Sequence, residues 1–81
     1  MKDEIKIGAI ETAILKVVDT QGSNITNCTC EVVDSNIWYP GGLRGTTIPN
    51  PEIGSTYKMI SEVVPMGYGI NWEIRSVEKL N

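Results

Sequence analysis

The side chains best suited to chemistry in this sequence lie between Ile37 and Thr47, read Ile-Trp-Tyr-Pro-Gly-Gly-Leu-Arg-Gly-Thr-Thr. One of the two tryptophans, one of the two arginines and three of the eight glycines fall in this stretch. An exposed aromatic ring here can stack on a planar ligand, the planar fork of Arg44 can pair with two phosphate oxygens, and glycine amides with threonine hydroxyls can cradle an anion. The candidate ligand-binding residues are therefore Trp38, Tyr39, Gly41, Gly42, Arg44, Gly45, Thr46 and Thr47, joined by Tyr68 from a later glycine-rich connection. Each also has a plain structural reading. Large aromatics of small domains usually fill the core, which is the expectation for Trp72, and glycines usually serve turn geometry. Adjacent strand residues point to opposite faces, so one of Trp38 and Tyr39 is expected at the surface. Arg44 has no acidic residue within three positions, which makes an ion-pair role weaker for it than for Arg75, a neighbour of Glu73 and Glu78.

Catalysis has little to draw on. The sequence contains no histidine, and Cys28 with Cys30 cannot alone complete a four-ligand zinc site. No nucleophile elbow, phosphate-loop lysine motif or Asp-x-Asp cluster occurs. Glu31, Glu62 and Glu73 alternate as a solvated strand face would. The reading is a non-enzyme with no metal and no cofactor.

Composition narrows the partners. A net charge of −3, with seven cations scattered singly from Lys2 to Lys79, argues against general nucleic-acid binding and against a polybasic membrane patch. The N-terminal Met-Lys-Asp-Glu lacks the apolar core of a signal peptide and no long apolar run follows, so a cytoplasmic location is expected. Cys28 and Cys30 would share one strand face, a poor geometry for a mutual disulfide, and read as reduced core thiols. Residues 1–81 read as one small domain, and because so short a chain buries only about 60–65% of its unfolded surface, a homo-oligomer is expected.

The elements that must position these residues are strands. From Ile5 to Val18 the apolar residues fit both period two and helical spacing, but the β-branched load and Gly8 favour a long strand, bulged near Gly8 to Glu11, over a short N-terminal helix. Asp19 to Asn24 reads as a hairpin loop, and the return run places Thr26, Cys28, Cys30 and Val32 on one face. Asp34-Ser35-Asn36 is a turn, Ile37-Trp38-Tyr39 a short strand, and Pro40 to Pro51 a long irregular excursion. Thr56 to Val64 is a strand with Tyr57, Met59 and Val63 on one face, Pro65 to Gly69 is a turn, and Ile70, Trp72 and Ile74 alternate in a last strand whose parity slips at Ser76 and Val77. Four to five strands without a helix predict an all-β fold, a small antiparallel barrel of OB-like or SH3-like character.

The order Ile53, Gly54 and Tyr57, then a glycine-rich turn, then Trp72, Arg75, Ser76 and Val77, resembles the C-terminal halves of small all-β accessory proteins encoded by bacteriophages, over about a third of the chain. The resemblance implies a viral accessory protein in a host cytoplasm and no particular activity. Two functions fit the sequence. One is sequestration of a small anionic ligand such as a nucleotide immune signal, a counter-defence role. The other is a protein-interaction module, inhibiting a host protein or building a virion, anchored by Trp38, Tyr39, Leu43 and Tyr68. The first requires a free positive site; the second requires an exposed apolar patch.

Overall fold

The structure, a computed structural model, describes residues 2–21 and 24–81. Five strands follow in order: β1 (Ile10–Gln21), β2 (Asn24–Ser35), β3 (Leu43–Thr47), β4 (Thr56–Met66) and β5 (Gly69–Lys79). They form one antiparallel sheet in the order β3-β2-β1-β4-β5, curled into a half-barrel, with no helix among the described residues. No helix there is long and apolar enough to cross a membrane. The β1–β2 ladder shifts register three times, after Ile14, Val17 and Thr20. Bulges bend a strand and sharpen its twist, which is how two long strands wrap around a core instead of lying flat.

Period two governs β1, where Glu11, Ala13, Leu15 and Val17 are buried in alternation with Thr12, Ile14, Lys16 and Val18. The strand starts at Ile10, however, and not at Ile5. The Ala9 amide bonds back to the Lys6 carbonyl at 3.0 Å and Gly8 adopts φ +90°, a left-handed turn that glycine alone enters freely. Ile5 and Ile7, which the expected strand included, lie outside it and are exposed. The expected Asp19–Asn24 loop is shorter than its turn-forming residues suggest, because Gln21 pairs with Asn24; Gly22 and Ser23 lie outside the described residues.

Ile37-Trp38-Tyr39 is not a strand: the chain bends from Asn36 to Trp38 and is irregular at Tyr39. Ser35 Oγ accepts the amides of Ile37 and Trp38, both at 3.0 Å. This local side-chain bonding replaces ladder partners and turns the chain. The excursion from Pro40 to Pro51 also contains more order than expected, since Leu43 to Thr47 pairs with Asn27 to Glu31 as β3. At the β4–β5 connection, Met66 already pairs with Gly69, leaving a two-residue turn in which Gly67 takes φ +56°. The expected parity slip is present: Ser61 faces Ile74 and Ile60 faces Ser76, so Arg75 is the extra residue of a bulge.

The core joins Ala13, Leu15 and Val17 of β1, Cys28, Cys30 and Val32 of β2, Ile48, and Tyr57 and Met59 of β4. Both thiols are free and buried, with their sulfurs 3.7 Å apart. Burial pushes both thiols up, Cys30 from an ordinary 9.0 to about 12, with the neighbouring Cys28 adding to it. An unfolded thiol ionises first, so the stability drawn from the neutral Cys30 is complete below pH 9.0 and is lost as pH rises toward about 12. Denaturation midpoints measured across that window should fall steeply. At neutral pH a thiol reagent should label neither cysteine until denaturant is added.

Candidate functional site

Arg44 lies opposite Cys30 in the β2–β3 ladder, and directly opposed residues share a face, so its side chain enters the concave interior. There its Nη1 donates to Glu11 Oε1 at 2.6 Å. The two side chains retain only 10% and 1% of their accessible surface, Arg44 and Glu11 respectively. The second carboxylate oxygen, Oε2, accepts the Ser35 hydroxyl at 2.8 Å. The guanidinium carbon sits 5.6 Å from the Trp38 ring centre and 5.5 Å from that of Trp72. The two indoles are 6.3 Å apart and tilted by 49°. Arg44 is thus held by two aromatic rings and a buried carboxylate, an arrangement favourable to a planar, weakly hydrated cation.

This cluster closes the half-barrel. β3 and β5 are the two outer strands of the sheet and share no ladder. Arg44 from β3 and Trp72 from β5 meet across the opening instead, with Glu11 from β1 beneath them and Trp38 from the bend beside them. Asn36 anchors the same end. Its Oδ1 accepts the Thr12 amide at 2.8 Å, and its Nδ2 donates to the Ile10 carbonyl at 2.8 Å and to Asp3 Oδ2 at 3.0 Å. Lys2 adds a bond from Nζ to the Ser35 carbonyl at 2.6 Å and lies over the Tyr39 ring at 5.7 Å.

The predicted site residues divide accordingly. Trp38 and Arg44 belong to the closing cluster, and Arg44 has an acidic partner thirty-three positions away in sequence, beyond the reach of any local inspection. The Gly41 amide donates to the Val32 carbonyl and the Gly42 carbonyl accepts the Val32 amide, both at 2.9 Å, so this pair completes the turn into β3. Gly45, Thr46 and Thr47 line a shallow cavity of about 370 Å³ together with Asn27 and Cys28, and no cation is among its lining residues. The Thr46 hydroxyl is engaged with Met59 Sδ at 3.6 Å and that of Thr47 with Asn27 Oδ1 at 3.2 Å. Tyr68 stands fully exposed at the tip of the β4–β5 hairpin. Both members of the Trp38 and Tyr39 pair reach the surface, Tyr39 at 71% exposure, and Leu43 is 69% exposed.

Sequence reasoning passed over Glu11, Ser35, Asn36 and Trp72. Glu11 carried a usable signal, since it shares parity with Ala13, Leu15 and Val17 and so falls on the buried face, where a carboxylate demands a partner. Trp72, expected in the core, is half-buried. No protein-family model, curated protein or solved structure matches the chain.

Proposed function

We propose that this chain is a non-catalytic protein-docking module whose contact surface is the segment from Trp38 to Leu43. One observation carries the reading: Arg44, the cation that follows that segment, turns inward onto Glu11, while Tyr39 and Leu43 turn outward. A surface that presents aromatic and aliphatic side chains around a rigid proline is suited to anchoring in the pocket of another protein. Trp38, exposed and backed by Arg44, gives that surface a pre-organised ring. Tyr68, fully exposed at the tip of the β4–β5 hairpin, offers a further aromatic anchor. If the phage resemblance reflects origin, the partner is a host protein or a virion component.

Sequestration of a nucleotide draws support from the exposed rings and from the polar cavity at Thr46 and Thr47. It would require Arg44 to leave a buried carboxylate, which ranks it second. Affinity capture with the purified chain, run beside a Tyr39→Ala and Leu43→Ala double variant, separates the two readings. Docking predicts at least about a tenfold loss of the captured partner in the variant, each anchor being worth upward of about 1 kcal/mol, with an unchanged fold. Calorimetric binding of a nucleotide by both proteins alike would reverse the ranking.

A further inference from the structure

We infer that β5 is the seam of a two-fold homodimer, in which the strands of two copies pair antiparallel about Trp72. β5 is an outer strand whose one ladder among the described residues is with β4, so its other edge presents amides and carbonyls outside any ladder described. Its inner face is apolar and incompletely covered, since Ile70 and Ile74 are exposed and Trp72 is half-buried. The bulge at Arg75 ends the regular segment, leaving 69–74 as the part of continuous register that another strand can join.

The sequence of this segment selects the register. Opposed residues of an antiparallel pair share a face, so a strand meeting its own copy about an axis normal to the sheet has that axis through a residue. An axis through Glu73 sets carboxylate against carboxylate. One through Asn71 leaves Ile74 opposite the turn residue Tyr68. With the axis through Trp72, Ile70 of each copy meets Ile74 of the other, the two Trp72 side chains adjoin, and Glu73 lies opposite Asn71. Charge is compatible with this register, because Arg75 holds both Glu73 and Glu62 of its own chain at 2.7 Å and no bare carboxylate is left beside the seam. The consequence reaches beyond assembly. Trp38 lies 6.3 Å from Trp72, so the Trp38-Arg44-Trp72 clusters of both copies flank the axis and the two docking surfaces merge into one.

Sedimentation of the wild-type chain at tens of micromolar should give the mass of two chains. Ile70→Lys and Ile74→Lys, which put a charge on the inner face of the edge, should each raise the dissociation constant by at least about tenfold with an unchanged circular dichroism spectrum. Should the lysine variants unfold, an equimolar mixture of Asn71→Cys and Glu73→Cys decides the matter, because both sites are exposed: mild oxidation should cross-link the mixture into dimers and leave either variant alone uncross-linked. A wild-type monomer, a dimer indifferent to both lysines, or a mixture that does not cross-link overturns the proposal. None of these outcomes depends on the docking reading.

Discussion

Arg44→Ala will destabilise the fold by about 3–5 kcal/mol, because it leaves the Glu11 carboxylate buried without its charge partner. Glu11 retains 1% of its side-chain surface and, among the described residues, would keep only the Ser35 hydroxyl as a donor. For a domain of this length that loss lowers the melting temperature by about 12 °C or more, and total stability on the order of 4–12 kcal/mol makes outright unfolding an expected outcome at the lower end. The substitution also removes the group that spans the opening between β3 and β5, so Trp38 and Trp72 lose their shared partner. Arg44→Lys should recover only part of the loss, since an ammonium cannot lie flat between two rings while reaching the carboxylate. A double replacement, Glu11→Leu with Arg44→Met, should regain most of it, as apolar groups of similar volume often match a buried ion pair. Urea denaturation of the four proteins tests the scheme. A loss below about 1 kcal/mol for Arg44→Ala would show that the ion pair behaves as a surface contact.

Ser35→Ala is expected to rank next, at about 3 kcal/mol, because one small hydroxyl serves three groups. It donates to Glu11 Oε2 at 2.8 Å and accepts the amides of Ile37 and Trp38 at 3.0 Å each. Removing it leaves a carboxylate oxygen and two amides short of partners, and it releases the bend that sets Trp38 beside Arg44. Amide exchange at Ile37 and Trp38 should quicken accordingly. Ser61 supplies an internal comparison. Its hydroxyl is fully buried opposite Glu11 yet has no hydrogen-bond partner among the described residues, so Ser61→Ala should change stability by less than about 1 kcal/mol or raise it. Equal losses at Ser35 and Ser61 would mean that packing volume, and not hydrogen bonding, governs this end of the barrel.

Much of the architecture was legible along the chain because strand formation follows a local rule. Alternation at Ala13, Leu15 and Val17, at Cys28, Cys30 and Val32, and at Tyr57, Met59 and Val63 marked the buried faces directly, and the slip in parity before Val77 marked a bulge. Turn chemistry marked the hairpin ends but not their lengths, since Asp19 and Pro65 lie within strands despite types that usually interrupt them. Proline and glycine content likewise hid β3, whose pairing with β2 is settled by the partner strand. Ser35 and Asn36 read as generic turn residues, whereas their side chains bind backbone groups both nearby and on β1, and those bonds shape the Trp38 bend.

The residues at the site were visible as types, and their roles were not. By itself the sequence determined that Trp38, Tyr39 and Arg44 sit close together on one short stretch, that no histidine is present, and that the fold is built of strands. Only the curled sheet decided that Arg44 faces Glu11 across thirty-three positions and lies between Trp38 and Trp72, while Tyr39 and Leu43 turn to solvent. The reason is physical: a side chain's face follows from its own strand's period, but its partner follows from how far the sheet bends, and that bend is the sum of register shifts distributed over two long strands.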